Sequence, residues 1–491
     1  MRRHARVAAF LLLPALLRAQ TPAGDHHHRI ARVENGLLTA NVVAGRPPAG
    51  MRLADRMRYY RVPGLSIAVI DGGRIAWARA YGTAGPDGTP VDTGTLFQAA
   101  SISKPVAAVA ALRLVESGRL SLDEDVNARL VSWKVPGSPP AKEKPVTLRG
   151  ILTHSAGLTV HGFRGYAPDE SVPTLVQLLN GERPANSAPV RVDVVPGSQV
   201  RYSGGGFSVM QQLLVDVTGR PFPALMREAV LGPAGMGQSG YEQPLPAARA
   251  GRAAVGHRAD GRPVAGRWHS YPEMAAAGLW TTPSDLARFA IELQRAYAGD
   301  GGRVLSPAAA RQMLSRQAPE YGLGVAFEGA ADSARFSHGG ANEGYRAYLV
   351  AFREGGRGAV VMTNSDAGGE VAMELLRAVA REYGWPAAGF RPRERPAVDE
   401  GPAARRGLAG RYWTARGADT LWLTAAVAGD TLRAALPPVW VAPRPLYRAP
   451  DGSYFALEGG PALRFERDSS GTATAALVEL GPRPVRLERA K

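Results

Sequence analysis

Ser101 and Lys104 stand three residues apart in Phe97-Gln98-Ala99-Ala100-Ser101-Ile102-Ser103-Lys104-Pro105, just ahead of an apolar run from Val106 to Val115. On a helix that spacing puts both side chains on one face, one turn apart. A serine hydroxyl becomes a useful nucleophile when a neighbouring base takes its proton. A lysine amine serves as that base only if burial or nearby cations depress its pKa. The sequence supplies the burial: from Pro105 to Val115 only Arg113 is polar, which predicts a helix covered on nearly all sides. Pro105 suits its first turn and Gly118 its end. Ser101 then lies at a helix N-terminus, where free N–H groups favour negative charge and an acyl-enzyme can be built.

The same four residues also fit a serine cap followed by a surface lysine. Lysine usage argues against that. Of 59 basic side chains only five are Lys, so the chain uses Arg wherever a plain positive charge will do. Arg cannot give up its proton at ordinary pH and Lys can. A lone Lys at the mouth of a buried helix therefore reads as chemistry.

Two further stretches are dense in reactive or permissive residues. In Pro196-Gly197-Ser198-Gln199-Val200-Arg201-Tyr202-Ser203-Gly204-Gly205-Gly206-Phe207, a strand end or turn delivers Tyr202 beside three glycines that let a ligand or backbone approach. A tyrosine held near Lys104 loses its proton more easily, or relays one. In Phe336-Ser337-His338-Gly339-Gly340-Ala341-Asn342-Glu343-Gly344-Tyr345, the Gly-Gly pair leaves room for a strand to line a groove and aim an N–H at a substrate oxygen. Thr153-His154-Ser155-Ala156-Gly157 superficially resembles a G-x-S-x-G elbow, but a threonine replaces the first glycine, so Ser155 is taken as a turn residue.

The elements that must position these residues read as an antiparallel α+β arrangement. Leu65 to Ile70 and Arg74 to Tyr81 flank Asp71-Gly72-Gly73 as a β-hairpin. Ala49 to Arg61 is an amphipathic helix, Thr282-Pro283-Ser284-Asp285 caps another, and Glu370 to Tyr383 is a third. Arg346 to Phe352 and Ala359 to Thr363 are strands around a turn. Strand pairs joined by tight turns, with helices before and after them, predict an antiparallel sheet.

At 491 residues the chain is long enough for two domains. Residues 1–19 read as a signal peptide: Arg2, Arg3 and Arg6, an apolar core from Val7 to Leu17, and a cleavage site at Leu17-Arg18-Ala19. With no Cys there are neither disulfides nor a lipid-bearing cysteine, as expected of a bacterial periplasmic or secreted protein with a sizeable core. No later apolar run reaches membrane length. The net charge of +16 comes from scattered Arg with no dense or aromatic-interleaved run, which argues against nucleic acid. His26-His27-His28 lacks the spacing of a metal site and reads as a solvated leader. No metal or organic cofactor is expected. The stretch 386–406 is a Pro/Arg-rich linker with Pro386, Pro392, Pro396 and Pro402. Residues 407–491 then show short strands (Thr420 to Val427, Thr431 to Leu436, Ser453 to Leu457, Ala462 to Glu466, Thr472 to Leu480) of a small all-β barrel.

Ser101-x-x-Lys104, Tyr202 and His338-Gly339-Gly340, in that order, resemble the motifs of the serine β-lactamase and penicillin-binding protein superfamily, nearest its class C β-lactamase, D-alanyl-D-alanine carboxypeptidase and esterase branch. The resemblance runs from about Ala49 to Tyr383, with lesser support from Thr153 to Leu158, Leu231-Gly232-Pro233 and Leu279 to Leu286. The C-terminal unit resembles the lipocalin-like barrel often appended to such enzymes. The resemblance implies an antiparallel sheet flanked by helices plus an all-helical region, in a hydrolase domain over 25–385. It implies Ser101 as the acylated nucleophile, Lys104 with Tyr202 as the acid/base pair, and an oxyanion hole from the N–H groups of Ser101 and Ala341. His338, Gly339 and Gly340 stand where the family walls its active site.

Two departures bear on substrate. Gly204 stands where the family usually has the Asn of Tyr-x-Asn, and Gly339 removes the hydroxyl of the third motif while His338 replaces its lysine. A histidine is mostly neutral near pH 7 and attracts a substrate carboxylate weakly. The expected protein is an exported serine hydrolase acting on an ester, a D-amino-acid peptide or a β-lactam, with esterase or peptidase activity ahead of lactamase. The other reading is a non-catalytic envelope protein that recognises penicillin or a cell-wall polymer through the same cleft.

Overall fold

Gly72 and Gly73 supply the two positive φ angles, 59° and 71°, that a two-residue hairpin turn needs, and Asp71 pairs with Arg74 across them. The computed structural model describes residues 23–490 apart from 387, 417–418, 438 and 482, so the expected signal peptide lies outside the described residues. The hairpin Gly64–Asp71/Arg74–Gly82 forms one edge of a six-stranded, wholly antiparallel sheet. Its remaining strands, in spatial order, are Gly358–Thr363, Tyr345–Phe352, Arg335–Asn342 and Ala326–Glu328.

The central strands are apolar on both faces because helices cover both. Ala68, Ile70, Val360 and Met362 join a large core with the helical region and the Pro283–Ala298 helix. Ile67, Val69, Val361 and Ala359 alternate onto the other face, against Leu53–Tyr60 and Gly368–Glu382. The helical region holds Ser103–Glu116 and Gly204–Thr218, both largely buried. Thr282 caps Pro283–Ala298 as expected, its side chain accepting the Asp285 N–H at 3.2 Å.

The N-terminal stretch is not the solvated leader its polar residues suggest. Ala23–Glu34 is a helix that packs on Gly368–Glu382 through Ile30 and Val33, and Asn41–Val43 pairs in parallel with Arg393–Arg395. Two apolar residues on one face, plus the ion pairs of Arg29 and Arg32 with Glu382, hold a segment whose composition is mostly polar. The expected helix at 49–61 is shorter, Leu53–Tyr60, ending where Arg61 turns left-handed.

Within 386–406 the chain forms the strand Arg393–Arg395 and enters the helix Gly401–Leu408, whose Leu408 is buried in the next core. Eight antiparallel strands from Gly410–Arg416 to Val485–Arg489 then close a barrel. Closure removes every exposed edge and encloses a core of its own around Tyr412, Trp440 and Tyr454. The barrel docks on the outer edge of the Gly368–Glu382 helix. Arg444 binds Glu370 at 2.8 Å, and Arg56 reaches both Glu374 at 2.7 Å and Glu458 of the barrel at 3.6 Å. No helix of the described residues is long and apolar enough to cross a membrane.

Candidate active site

Ser101 lies in a short 3-10 turn, Ala100–Ile102, which feeds directly into the Ser103–Glu116 helix. The turn is strained: Ala100 sits at φ +49°, a conformation that costs a non-glycine residue about 1–3 kcal/mol and recurs at functional sites. One turn on, Lys104 is 2% exposed, with Nζ 2.9 Å from Ser101 Oγ and 2.8 Å from the carbonyl of Ala276. Burial alone pulls the Lys104 amine down to about 7. At neutral pH a substantial part of it is therefore the free amine, positioned to accept the Ser101 proton.

Tyr202 comes from the loop before Gly204–Thr218 and lines the same cleft as Ser101. Lys104 Nζ stands 4.9 Å from its ring centroid. The expected loss of its proton is not what the surroundings favour. Desolvation outweighs the opposing influence of the nearby Ser101 hydroxyl and raises the phenol to about 12. Tyr202 thus stays protonated and can give a proton rather than take one.

Sequence reasoning passed over His154, which sits beside the turn residue Ser155. His154 is buried and brackets Tyr202: its carbonyl accepts the Arg201 N–H at 2.7 Å and its Nδ1 accepts the Ser203 N–H at 3.1 Å. Its ring lies 4.3 Å from that of Tyr202, and His161 flanks the other ring at 4.9 Å. Desolvation, with Lys104 close by, holds His154 well below the ordinary imidazole range, so it acts as a neutral spacer. The available signal was its place in Thr153-His154-Ser155-Ala156-Gly157, where only the serine invited scrutiny. Ser155 itself shares a 2.8 Å hydrogen bond with Thr153.

Arg335–Asn342 forms the opposite wall and carries His338, Gly339, Gly340 and Ala341. His338 Nδ1 lies 2.7 Å from the Gly339 carbonyl, which can only accept, so Nδ1 carries the proton. Desolvation and Lys104 push this imidazole down to about 4, leaving it neutral. A Cβ on Gly339 would meet nothing closer than the Tyr348 ring at 3.7 Å, so the space of the absent hydroxyl is open. A Cβ on Gly204 would instead meet Phe163 at 2.9 Å. An aromatic ring thus fills the volume beside the position where an amide side chain was looked for.

These walls enclose a cleft of about 800 Å³ lined by Ser101, Tyr202, Phe163, Tyr321, His338 and Met373 among others. Its one arginine, Arg346, is bound to Asp366 at 2.9 Å and to the carbonyls of Asn342 and Tyr345. Its one carboxylate, Glu328, is bound to Arg335. Both charged side chains of its described lining are thus held in ion pairs. Among the described residues no group of three or more His, Asp or Glu side chains is placed to hold a metal ion.

Comparison with known proteins gives this arrangement a context. Residues 52–383 match the family described as Beta-lactamase. The chain is 28% identical over 377 residues to Penicillin-binding protein 4 of Amycolatopsis lactamdurans, covering 72% of this chain and 93% of the relative. It is 30% identical over 306 residues to Esterase EstB of Burkholderia gladioli, covering 55% and 75%. An uncharacterized protein of Mycobacterium tuberculosis is 30% identical over 246 residues, 46% of this chain, and the match spans only 60% of that relative's length. In fold the chain is similar to the octameric penicillin-binding protein homologue from Pyrococcus abyssi, with a TM-score of 0.59, 20% identity, and coverage of 89% and 98%.

Proposed function

Because the chain belongs to the β-lactamase family of serine hydrolases, we propose that it is an exported esterase that works through an acyl-enzyme on Ser101. The observation that carries this reading is the buried Lys104 amine, drawn down to about 7 and held 2.9 Å from the Ser101 hydroxyl. In the first half-reaction the free amine takes the Ser101 proton as Oγ attacks the ester carbonyl. The carbonyl oxygen becomes an oxyanion facing the N–H groups of Ser101 and Ala341. Collapse breaks the bond to the alcohol, which leaves with the Tyr202 proton, and the Lys104 ammonium restores that proton to the phenolate. Water then enters in place of the alcohol and the same groups run the sequence again to free the acid.

The substrate reading follows from the walls. His338 is neutral and Arg346 is already paired with Asp366, so the described wall attracts a substrate carboxylate weakly. Phe163 occupies the volume beside Gly204, where no amide side chain is present to hold a substrate amide. Both features favour an uncharged ester over a β-lactam or a peptide with a free carboxylate. Export to the periplasm or beyond rests on the basic, apolar start of the sequence.

Intact-mass measurement of wild type and Ser101→Ala after exposure to a fluorophosphonate, a penicillin and p-nitrophenyl acetate tests the proposal. Adducts on wild type alone, with turnover of the ester and little penicillin adduct, are expected. An adduct on Ser101→Ala, or none on either protein, would refute it.

A further inference from the structure

Arg335–Asn342 carries the cleft wall on a lopsided ladder. Tyr345–Phe352 pairs with it along its whole length, while Ala326–Glu328 pairs on the other side with Arg335, Phe336 and Ser337 alone. Over residues 338–342 that edge has no strand partner among the described residues, and His338, Gly339, Gly340 and Ala341 within it line the cleft with Ser101. An edge without a ladder needs another hold if its N–H groups are to stay aimed at a reacting atom.

Asn342 supplies such a hold. Its side chain is buried, and its amide nitrogen donates to the Gln98 side-chain oxygen at 2.7 Å and to the Ala277 carbonyl at 3.1 Å. Gln98, also buried, donates through Nε2 to the His269 carbonyl at 2.8 Å. A carbonyl acceptor at each end fixes both amides, since turning either one sets oxygen against oxygen.

The two ends of this bridge lead to the reacting groups. Gln98 stands three residues before Ser101 and pairs with Trp280, while the next residue, Ala99, donates its N–H to the Leu279 carbonyl at 2.8 Å. The Ser103 hydroxyl accepts the Leu279 N–H at 2.9 Å and donates to the carbonyl of the strained Ala100 at 2.5 Å. Beside the Ala277 carbonyl that Asn342 holds, the Ala276 carbonyl holds Lys104 Nζ at 2.8 Å. The buried stretch 276–279 thus carries the nucleophile's turn and the base at once, and the Asn342 side chain fastens the cleft wall to it.

We propose that the Asn342–Gln98 bridge positions the reaction: Asn342 holds the N–H of its neighbour Ala341 in place relative to Ser101 Oγ and the Lys104 amine, so that the oxyanion meets its donor as it forms. The inference rests on the acyl-enzyme reading given above. Ala341 is exposed to the cleft and Asn342 is buried behind it, as strand alternation requires, so one residue meets the substrate and the next sets its place. Asn342 is a positioning residue. Its loss releases the free edge and displaces a donor that acts in the transition state more than in the bound ester.

The test is the burst of p-nitrophenolate released when p-nitrophenyl acetate acylates wild type, Asn342→Leu, Gln98→Met and the double variant. The burst gives the acylation rate, its half-saturation and the active fraction separately. Asn342→Leu should lower the limiting acylation rate about 10²-fold and leave half-saturation within about threefold, with Asn342→Ala as the substitute if that variant does not fold. Affinity for phenylboronic acid, whose tetrahedral adduct on Ser101 offers an oxygen to the same N–H groups, should fall in step with the rate. Gln98→Met should show the same pattern, and the double variant should lose no more than the worse single one, because both act through one bridge. A smaller burst with an unchanged rate marks a merely structural residue and overturns the proposal. An unchanged rate, a raised half-saturation alone, or losses that add in the double variant overturn it too. A wild type with neither burst nor fluorophosphonate adduct overturns the acyl-enzyme reading and this inference together, whereas a wild-type burst with unaffected variants overturns this inference alone.

Discussion

Gly340 and Ala99 meet backbone to backbone: a Cβ on Gly340 would stand 2.2 Å from the Ala99 carbonyl oxygen and 3.3 Å from the Ala100 side chain. The wall strand thus rests directly on the strained turn that presents Ser101, and only a residue without a side chain permits that contact. Gly340→Ala must push the two apart. A displacement near 1 Å at a reacting group costs about 10²-fold in rate. Acylation of Gly340→Ala by p-nitrophenyl acetate should fall by about that factor, while Gly339→Ala, whose methyl would make only ordinary contact with the Tyr348 ring at 3.7 Å, should stay within a few-fold of wild type. Equal activity of both variants would show that the contact does not set the geometry.

Lys104 gives the acid limb its sign. Its amine is depressed to about 7, so the base is lost below that pH and present above it, and activity should rise with pH through this value. Lys104→Ala should lose about 10²–10⁴-fold in kcat/KM. Lys104→Arg should be equally impaired, because its guanidinium keeps the charge and cannot accept the proton. Retained turnover in Lys104→Arg would remove the lysine as base.

Tyr202, held protonated at about 12, should matter in proportion to how badly the departing alcohol needs a proton. p-Nitrophenolate leaves unaided and an alkoxide does not. Tyr202→Phe should therefore lose about 10²-fold or more with an alkyl ester and roughly tenfold or less with the p-nitrophenyl ester. Equal losses with both esters would assign the phenol another task.

Arg56 is the test of how the barrel is held. Its guanidinium lies between Glu374, whose side chain is 2% exposed, and Glu458 of the barrel. Removing one partner of a buried pair leaves the other charge uncompensated, at a cost of about 3–5 kcal/mol. Arg56→Met should lower stability in denaturant unfolding by about that amount, and a change below about 1 kcal/mol would show the network to be dispensable.

The hairpin at Gly72-Gly73, the Ser103–Glu116 helix and the strand Thr431–Leu436 were legible because each announces itself locally, through turn glycines, an unbroken apolar run or strict alternation. Trp440–Arg448 was not, because Pro443 and Pro445 argue against a strand, and the ladder admits them beside an irregular register at Ala434/Leu436. Gly410–Arg416 and Val485–Arg489 are short and charged, and owe their strand conformation to the barrel partners on either side. In the site, Ser101, Lys104 and Tyr202 could be chosen by residue type and order. The contacts that qualify them could not. His154 grips the backbone around Tyr202 from 49 residues away, and Phe163 fills the volume beside Gly204 from another loop. Neither relation leaves a trace in local spacing.

The amino-terminal strap carries a consequence for how the chain comes to be folded. Arg29 and Glu382, which it joins, are 353 residues apart, and Asn41–Val43 pairs with Arg393–Arg395. Closing so long a loop is entropically costly and slow, and during synthesis neither partner segment exists until most of the chain has been made. A segment made early is thus among the last to lock, and until it does the helix Gly368–Glu382, which lines the cleft with Ala372 and Met373, lacks one of its outer supports.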